Sequence, residues 1–513
     1  MEFPIKTIPR EYQQNIYETA KDNNTLVVLP TGLGKTLIAL LLAIDRLKKY
    51  PGSKILMLAP TRPLVEQHFN TFKSQIPELF ADLQLFTGST HASKRKKIFQ
   101  KAEIIFSTPQ CIGNDLRSGL YSLSEVSLLI IDEAHRCLGN YDYTSVLDKY
   151  KSQAEHERIL GLTASPGSEA SKVKEICSHL NIEEIEVRTR DSQDVKPYLQ
   201  ELEFEKVEVP FPQEFIEIKV LLKRIFDEKV EKLRSRSLLF GPANKITLLQ
   251  LQKKLALKIP FKDFNAMHGM SLTAQAIKIS HAIELLETQT LSGLNEYLNN
   301  LINQASDKKT KSVQQLVKIP EFNAAYISMK NLLAKQIEHP KVEELAVIIE
   351  KEMEKNQNAK IIAFCQFRET ARTIVERISK IPRVKASVFL GQAKKLTSTG
   401  TSGLNQKEQK QIIEKFKTGE INTIVATAIG EEGLDIPEVS AVIFYEPIPS
   451  AIRKIQRAGR TARLSPGKLI ILVTKDTRDI AFHYASSARE RKMYKILEIV
   501  KQELKKQNMQ KTL

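Results

Sequence analysis

Residues 25–44 read TLVVLPTGLGKTLIALLLAI, in which a glycine-rich loop separates an apolar, β-branched run from a leucine-rich one. This order predicts a strand, a tight loop and a helix. Glycines in such a loop let backbone N–H groups converge on phosphate oxygens, and the helix N-terminus adds its dipole. Lys35 would reach the β- and γ-phosphates, and the Thr36 hydroxyl would hold Mg²⁺. We therefore predict an ATP-binding loop made of Thr31, Gly32, Leu33, Gly34, Lys35 and Thr36.

A second motif, Asp132-Glu133-Ala134-His135, directly follows the apolar run VSLLII. Parallel sheets in α/β proteins gather their functional side chains at the carboxyl ends of strands. There, Asp132 would hold Mg²⁺, and Glu133 would orient and deprotonate the water that attacks the γ-phosphate. A surface acidic cluster is the alternative, but the preceding strand favours a catalytic pair.

Apolar runs alternate with helical patterns in two separate parts of the chain. The runs TLVVLP, SKILMLAP, AEIIFSTP, VSLLIIDE and ERILGLTAS come first, and AKIIAFCQF, KASVFLG, INTIVATA, AVIFYEP and KLIILVT follow later. This alternation predicts an α/β fold with two parallel-sheet domains in tandem. The segment between them shows three- and four-residue apolar spacing, which predicts an all-helical insertion. We expect the divisions 1–205, 206–335, 336–480 and, for a basic C-terminal helix, 481–513.

Composition restricts the possible classes of protein. The chain has 513 residues and a formal net charge of +17, which favours a polyanionic partner over an ordinary basic surface. Its apolar runs are too short for a membrane span, and its start lacks the pattern of a signal peptide. Four scattered cysteines argue against a zinc site or a disulfide framework. We expect a cytoplasmic protein, associated with the nucleoid if the source is prokaryotic.

Four motifs occur in a fixed order: TGLGKT, DEAH, TAS at residues 163–165 and QRAGRTAR at residues 456–463. As a set they resemble the superfamily 2 helicases and translocases. Residues 403–463, from GLNQKEQ to the last of these motifs, are similar to the archaeal Hef helicase and the Fanconi anaemia M translocase. The resemblance implies two RecA-like domains, with the helical insertion in the position of a thumb-like domain that grips nucleic acid.

The resemblance also implies roles for residues outside the two acidic and glycine-rich motifs. Arg10 and Gln13 would read adenine, since a glutamine amide can both donate to and accept from one base edge. Gln456, Arg460 and Arg463 share one helix face, and their arginines would stabilise the transferring phosphoryl group. Asp435 would approach the ribose. The coupling of ATP turnover to movement is implied for His135, Thr163 and Ser165.

Polar segments that follow other predicted strands are candidates for nucleic-acid contacts. Their hydroxyls, backbone amides and arginines would bind phosphates, which carry little sequence information. A motor that steps along any sequence needs contacts of this kind. The residues that we expect to make them are Arg62, Thr87, Gly88, Thr108, Arg368 and Thr427.

The function implied by the resemblance is an ATP-dependent DNA helicase or translocase for forked or branched DNA in fork repair, moving 3′ to 5′. ATP and Mg²⁺ would be its cofactors, and a separate nuclease or sliding clamp could be its protein partner. Glu490-Arg491-Lys492 is similar to a nuclease motif, but Ile496 replaces its aspartate, so we expect no nuclease activity. Alternatives are a duplex-RNA-stimulated translocase of the Dicer type, a duplex translocase that does not unwind, and a non-catalytic clamp or scaffold.

Overall fold

The structure is a computed structural model of the chain. It describes residues 5–77, 80–88, 90–139, 142–308, 310–391, 395–397, 400–427, 437–448, 450, 461 and 466–512. The described part contains two parallel sheets with a helical region between them, which confirms the predicted fold class.

The strands of the first sheet are short, and its five interior strands are entirely buried. They are β1 (Thr25–Val28), β2 (Lys54–Leu58), β3 (Leu83–Leu85), β4 (Ile104–Ser107), β5 (Val126–Asp132), β6 (Ile159–Thr163) and β7 (Glu184–Val187). Their spatial order is β3-β4-β2-β5-β6-β1-β7, and each pair of neighbours runs parallel. Because β1, β6 and β5 run parallel, the loops at the carboxyl ends of β1 and β5 open on the same edge of the sheet.

Helices cover both faces of this sheet, and a separate apolar cluster fills each interface. Continuous apolar strands need such cover on both sides. The helices are α1 (Glu11–Asp22), α2 (Lys35–Lys49), α3 (Arg62–Gln75), α4 (Ala92–Lys101), α5 (Pro109–Arg117), α6 (Asp142–Gln153) and α7 (Ala170–His179).

The second sheet begins before the helical insertion. Its strands are β8 (Leu202–Val209), β9 (Ile361–Phe364), β10 (Ala386–Phe389), β13 (Thr423–Ala426), β14 (Ala441–Phe444) and β15 (Gly467–Thr474); a separate antiparallel ribbon is formed by β11 (Lys395–Thr397) and β12 (Gly400–Ser402). The spatial order of the sheet is β10-β13-β9-β14-β15-β8. All eight residues of β8 pair in parallel with β15. The predicted border after residue 205 therefore falls inside a strand of the second sheet.

The insertion consists of helices with two apolar clusters of their own. They are α8 (Ile216–Ser235), α9 (Lys245–Ala256), α10 (Phe264–Thr288), α11 (Leu291–Ser306), α12 (Lys311–Val317) and α13 (Pro320–Ala334). Its 25-residue helix α10 packs on both α8 and α9 and is about 37 Å long.

The remaining helices flank the second sheet, and the last of them also packs on the first sheet. They are α14 (Pro340–Lys355), α15 (Arg368–Ile378), α16 (Gln406–Thr418) and α17 (Arg478–Thr512). Since α17 starts at Arg478, the predicted border at 480/481 lies within a helix. The division into two sheet domains, a helical insertion and a C-terminal helix stays a proposal. In it, β8 belongs to the second sheet domain, and the C-terminal helix begins at Arg478. Among the described helices, the structure contains none that is long and apolar enough to cross a membrane.

Candidate functional site

The glycine-rich loop connects β1 to α2 as the sequence predicts. Gly32 and Gly34 have φ angles of 86° and 72°, in the left-handed region that favours glycine. A Cβ atom on Gly34 would lie 2.4 Å from Gln13 Nε2. Both the backbone conformation and the close approach of Gln13 therefore require glycine at position 34. Lys35 is the first residue of α2, and its Nζ donates to the carbonyl of Leu29 at 3.1 Å, so its ammonium lies over the loop.

The N-terminal helix holds this loop through side chains. Gln13 is buried, and its Nε2 lies 3.2 Å from the carbonyl oxygen of Leu33, to which the Tyr12 hydroxyl also donates at 2.8 Å. The guanidinium of Arg10 lies 5.2 Å from the centre of the Tyr198 ring. Gln13 thus contacts the phosphate loop directly, and the reading of adenine by Arg10 and Gln13 stays a prediction. Tyr12 and Tyr198 were not predicted, because nothing in their local sequence distinguishes them from core tyrosines.

The two predicted magnesium ligands meet through a histidine. His68 Nε2 lies 2.8 Å from Asp132 Oδ2, and its Nδ1 lies 3.3 Å from the Thr36 hydroxyl oxygen. Burial acts to raise the pKa of Asp132, but His68 and Lys35 together hold it below its ordinary value. A carboxylate that stays ionised next to a hydroxyl is an oxygen donor set that suits Mg²⁺. His68 has no signal in the local sequence, since it lies on α3, outside the motifs.

Glu133 has an unusual backbone and an unsatisfied side chain. Its φ of 52° and ψ of 49° place a non-glycine residue in the left-handed region, at a cost of about 1–3 kcal/mol. The side chain is buried, and Oε2 has no hydrogen-bond partner in the described part of the chain. His135 Nδ1 is 3.2 Å away but lacks hydrogen-bond geometry. A water molecule at the γ-phosphate could donate to this free carboxylate oxygen.

The residues predicted to couple turnover to movement form a contiguous set. His135 Nδ1 lies 3.2 Å from the Thr163 hydroxyl, and the backbone N–H of Ser165 donates to that same hydroxyl at 3.1 Å. Thr163 ends β6 and has no exposed surface. These contacts connect the end of β6 to the acidic motif at the end of the neighbouring strand β5.

The predicted nucleic-acid contacts lie near the carboxyl ends of strands in both sheets. Arg62 and Arg368 are the first residues of α3 and α15, and Thr108 immediately precedes α5. Thr87 and Gly88 follow β3, and Thr427 follows β13. Thr427 is only 8% exposed, whereas the other predicted contacts are partly or fully exposed.

Glu66 connects Arg62 to a lysine of the region that holds the second sheet. Arg62 Nε lies 2.8 Å from Glu66 Oε1, and Lys410 of α16 lies 2.8 Å from Glu66 Oε2. Pro63, Gln67, Ile413 and Lys417 line the same cleft between α3 and α16. The cleft between the two sheet-bearing regions is therefore crossed by an ion pair.

Four predicted site residues lie outside the described residues: Asp435, Gln456, Arg460 and Arg463. The contributions expected from the second sheet to the ATP site thus stay predictions.

Family models match three successive parts of the chain. The DEAD/DEAH box helicase model matches residues 10–173, and the helicase conserved C-terminal domain matches residues 340–465. Between them, residues 214–338 match a model named for the helical bundle of ATP-dependent RNA helicases.

Several curated proteins are similar over nearly the whole chain. A Methanocaldococcus jannaschii protein, provisionally named an ATP-dependent RNA helicase, is 39% identical over 95% of this chain and 60% of its own length. The ATP-dependent DNA helicase fml1 of Schizosaccharomyces pombe is 32% identical over 95% of this chain and 59% of its own length. The Fanconi anemia group M protein homolog of Mus musculus is 30% identical over 96% of this chain and 26% of its own length. The chain thus spans 60% or less of the length of these three relatives.

A solved structure resembles most of this fold. The helicase domain of Hef from Pyrococcus furiosus is 42% identical in sequence, with a TM-score of 0.70. The match covers 93% of this chain and 98% of that domain. The chain therefore belongs to the Hef and Fanconi anaemia group M family of superfamily 2 helicases.

Proposed function

We propose that this chain is the motor of a DNA helicase or translocase that acts on forked or branched DNA and moves 3′ to 5′. The use of ATP follows from membership of an ATP-dependent helicase family. One observation supports catalysis above all others: the buried Glu133 Oε2 lacks a hydrogen-bond partner in the described part of the chain, beside the ionised Asp132.

In this proposal, the glycine-rich loop binds the triphosphate through its backbone N–H groups and Lys35. Lys35 would exchange the Leu29 carbonyl, 3.1 Å away, for the β- and γ-phosphates. Thr36 and Asp132 would hold Mg²⁺, which when bound neutralises charge on the phosphoryl oxygens. Both ligands already contact His68, so the imidazole would keep their oxygens facing one point.

Glu133 would accept a proton from the attacking water. A general base needs a lone pair directed at the proton and a surrounding structure that keeps the carboxylate in place. The left-handed backbone at Glu133 and the contact with His135 fix the direction of the side chain. Gln456, Arg460 and Arg463 would complete the site from the second domain, with Asp435 at the ribose, so that turnover requires closure of the cleft.

Nucleic acid would lie across the carboxyl ends of both sheets. Arg62, Thr87, Gly88 and Thr108 would contact the backbone from the first domain, and Arg368 and Thr427 from the second. The ion pairs of Glu66 with Arg62 and Lys410 lie at this cleft. A phosphate that bound Arg62 would compete with Glu66, so DNA binding and the closure of the two domains would be linked.

The end of the helical insertion supports a preference for branched DNA. Phe240, Leu257, Phe261 and Phe264 are each at least 74% exposed there. A hydrogen bond of 3.2 Å between Arg236 and Asn265 joins the start of the α8–α9 loop to the start of α10. Residues 240–267 contain five lysines and one acidic residue. Aromatic side chains among lysines suit unpaired bases next to a phosphate backbone.

The proposal is tested by measuring ATP turnover with single strands, duplexes, forks and junctions, in DNA and in RNA. We expect forked DNA to stimulate turnover most strongly, with the effect falling steeply as salt rises, because phosphate contacts release counterions. Equal turnover with and without DNA would contradict a nucleic-acid-driven motor. A strand-separation assay beside a triplex-displacement assay then distinguishes unwinding from translocation alone.

Duplex RNA is the second candidate partner. The model that matches residues 214–338 and the Methanocaldococcus jannaschii relative are both named for RNA helicases. The DNA helicase names of the Schizosaccharomyces pombe and other relatives favour DNA. Stronger stimulation by duplex RNA than by forked DNA in the same assay would replace the first proposal by the second.

A further inference from the structure

The C-terminal helix α17 bridges the two parallel-sheet regions. It contains 35 residues and is therefore about 52 Å long. At its start, Asp479 is fully buried, accepts a hydrogen bond from the backbone of Thr474 at the end of β15, and pairs with Lys341. This end of the helix is fixed to the second sheet.

The later part of α17 belongs to the core of the first sheet. Met493, Ile496, Leu497 and Val500 are all buried in the apolar cluster on one face of that sheet. Farther along, Glu503 lies 2.7 Å from Lys174 of α7. A single rigid element is thus fixed at one end to the second sheet and along its later part to the first, so any relative movement of the two sheets must act on it.

Met493 of α17 contacts a predicted functional segment. It has no exposed surface, and its sulfur lies 2.8 Å from the hydroxyl oxygen of Ser165, which donates to it. Ser165 in turn contacts Thr163, and Thr163 contacts His135, which lies 3.2 Å from Glu133. A continuous series of contacts therefore joins the C-terminal helix to the proposed catalytic base.

We infer that Met493 is a positioning residue that makes ATP hydrolysis depend on the relative position of the two domains. The inference rests on the proposed DNA-driven ATPase. When the domains close on DNA, the second sheet displaces the start of α17. Because α17 is a continuous helix, the displacement reaches Met493 and shifts Ser165. Thr163 and His135 then place the Glu133 carboxylate for proton transfer.

The competing interpretation is that Met493 only fills space in the core. Leu497 offers the matched control, because it lies one helical turn farther and is equally buried in the same apolar cluster. The Met493→Leu variant keeps the apolar volume and removes the sulfur acceptor. Leu497→Ala removes apolar volume and keeps the sulfur. If both residues only filled space in the core, Leu497→Ala would impair the DNA-stimulated ATPase more than Met493→Leu does.

The experiment measures kcat with saturating forked DNA and without DNA, together with the KM for ATP, in the full chain. We expect Met493→Leu to lower the ratio of stimulated to unstimulated kcat by about three- to tenfold, with KM for ATP changed by less than about twofold. Leu497→Ala should keep the wild-type ratio although its thermal unfolding midpoint falls. Ser165→Ala should lower the ratio as Met493→Leu does, and the double variant should be no worse than either single.

Three results would overturn the inference: a wild-type ratio for Met493→Leu, an equal loss for Leu497→Ala, or strictly additive losses for Ser165→Ala and Met493→Leu. These outcomes are distinguishable from a failure of the proposed function. If DNA does not stimulate the wild-type protein, the proposed function fails. If the wild-type protein is stimulated and the variants respond as it does, only the role of Met493 fails.

Discussion

Lys341 Nζ lies 2.8 Å from Asp479 Oδ2, and neither side chain has any exposed surface. Lys341 also donates to the carbonyl of Thr288 at 2.7 Å. The pair therefore joins the last turn of α10 in the insertion, the first turn of α14 and the first turn of α17. Burial raises the pKa of Asp479, an effect that Lys341 opposes. One ion pair thus connects three regions that are far apart in sequence.

We predict that breaking this pair destabilises the second domain. Lys341→Met leaves a buried carboxylate, and Asp479→Asn leaves a buried ammonium; removing one member of such a pair costs about 3–5 kcal/mol. The measurement is the free energy of unfolding in urea. Lys341→Met/Asp479→Asn is the control, because it removes both charges and keeps an acceptor for Thr474. It should be more stable than either single variant, and a double variant that is the least stable of the three would contradict this account.

Glu133→Gln should bind ATP and fail to hydrolyse it. The amide keeps the size of the side chain but cannot take a proton from water, and general base catalysis contributes about 10²–10⁴-fold in rate. A fluorescent ATP analogue reports binding, and phosphate release reports turnover. Glu169→Gln, at an exposed position of the same domain that pairs with Lys172, is the matched control. Retained turnover in Glu133→Gln would remove Glu133 as the base.

Gly34→Ala should weaken ATP binding by at least about tenfold, a change of 1.4 kcal/mol. The added methyl group would meet Gln13 Nε2 at 2.4 Å and force Gln13 or the loop to move. Gly52→Ala is the control for backbone strain alone, since Gly52 has a φ of 83° and a Cβ atom added there would have nothing within 4 Å. Both variants should lose stability, and only Gly34→Ala should lose affinity in equilibrium titrations with ATP. Equal affinities for the two variants would contradict the role of the Gln13 contact.

Local sequence patterns were sufficient for the phosphate loop and for ten strands, which are β1, β2, β4, β5 and β6 of the first sheet and β9, β10, β13, β14 and β15 of the second. Continuous apolar runs identify buried parallel strands, and the glycines of the loop identify a conformation that only a few motifs use. Such signals depend on neighbours in the chain, so they can be read without knowledge of the fold. The acidic pair at Asp132 and Glu133 was found in the same way, because its preceding strand is local.

Contacts between distant segments could not be predicted in this way. Strand β8 has only one buried residue, Val209, and is separated from its partner β15 by more than 250 residues, so its membership of the second sheet has no local signal. His68 lies on a helix outside every motif, and its importance arises from Thr36 and Asp132, which the fold brings to it. The contact of Met493 with Ser165 spans 328 positions.

Stability at low pH should depend on Glu284 of the insertion. Burial acts to raise its pKa, but His281 and Lys245 lower it to about 2. Lys245 Nζ forms a hydrogen bond of 3.1 Å with the carboxylate, whereas His281 Nδ1 lies at 3.5 Å without hydrogen-bond geometry. Because the folded pKa is below the unfolded value of 4.5, the carboxylate stabilises the fold fully above pH 4.5 and loses this effect as the pH falls toward 2.

Glu284→Gln removes this pH-dependent contribution. Between pH 6 and pH 3.5, the wild-type protein should lose about 1–2 kcal/mol more of its free energy of unfolding than the variant does. Urea titrations at the two pH values measure the difference. Glu231→Gln, at an exposed position of the same insertion, should behave as the wild-type protein does. If the wild-type protein and Glu284→Gln lose stability in parallel, the carboxylate is not held ionised by its neighbours.

Phe261 and Phe264 should matter for forks and not for single strands. Both rings are more than 80% exposed at the far end of the insertion, among lysines, where stacking on an unpaired base would contribute about 1–3 kcal/mol per base. The variant Phe261→Ala/Phe264→Ala should therefore bind forked DNA at least about fivefold more weakly, with its ATPase stimulation by single-stranded DNA retained. Because these rings bury little surface in the protein, their removal should leave the unfolding midpoint unchanged.

A 2-aminopurine base at the fork junction reports the stacking directly, since its fluorescence falls when a ring covers it. We expect the quenching that the wild-type protein causes to disappear in the double phenylalanine variant. Ile327→Ala is the matched control, because Ile327 is 58% exposed on α13 of the same insertion and lies outside the aromatic end. Quenching that persists without both rings, or an equal loss with Ile327→Ala, would exclude stacking at the junction and leave the lysines as the source of fork affinity.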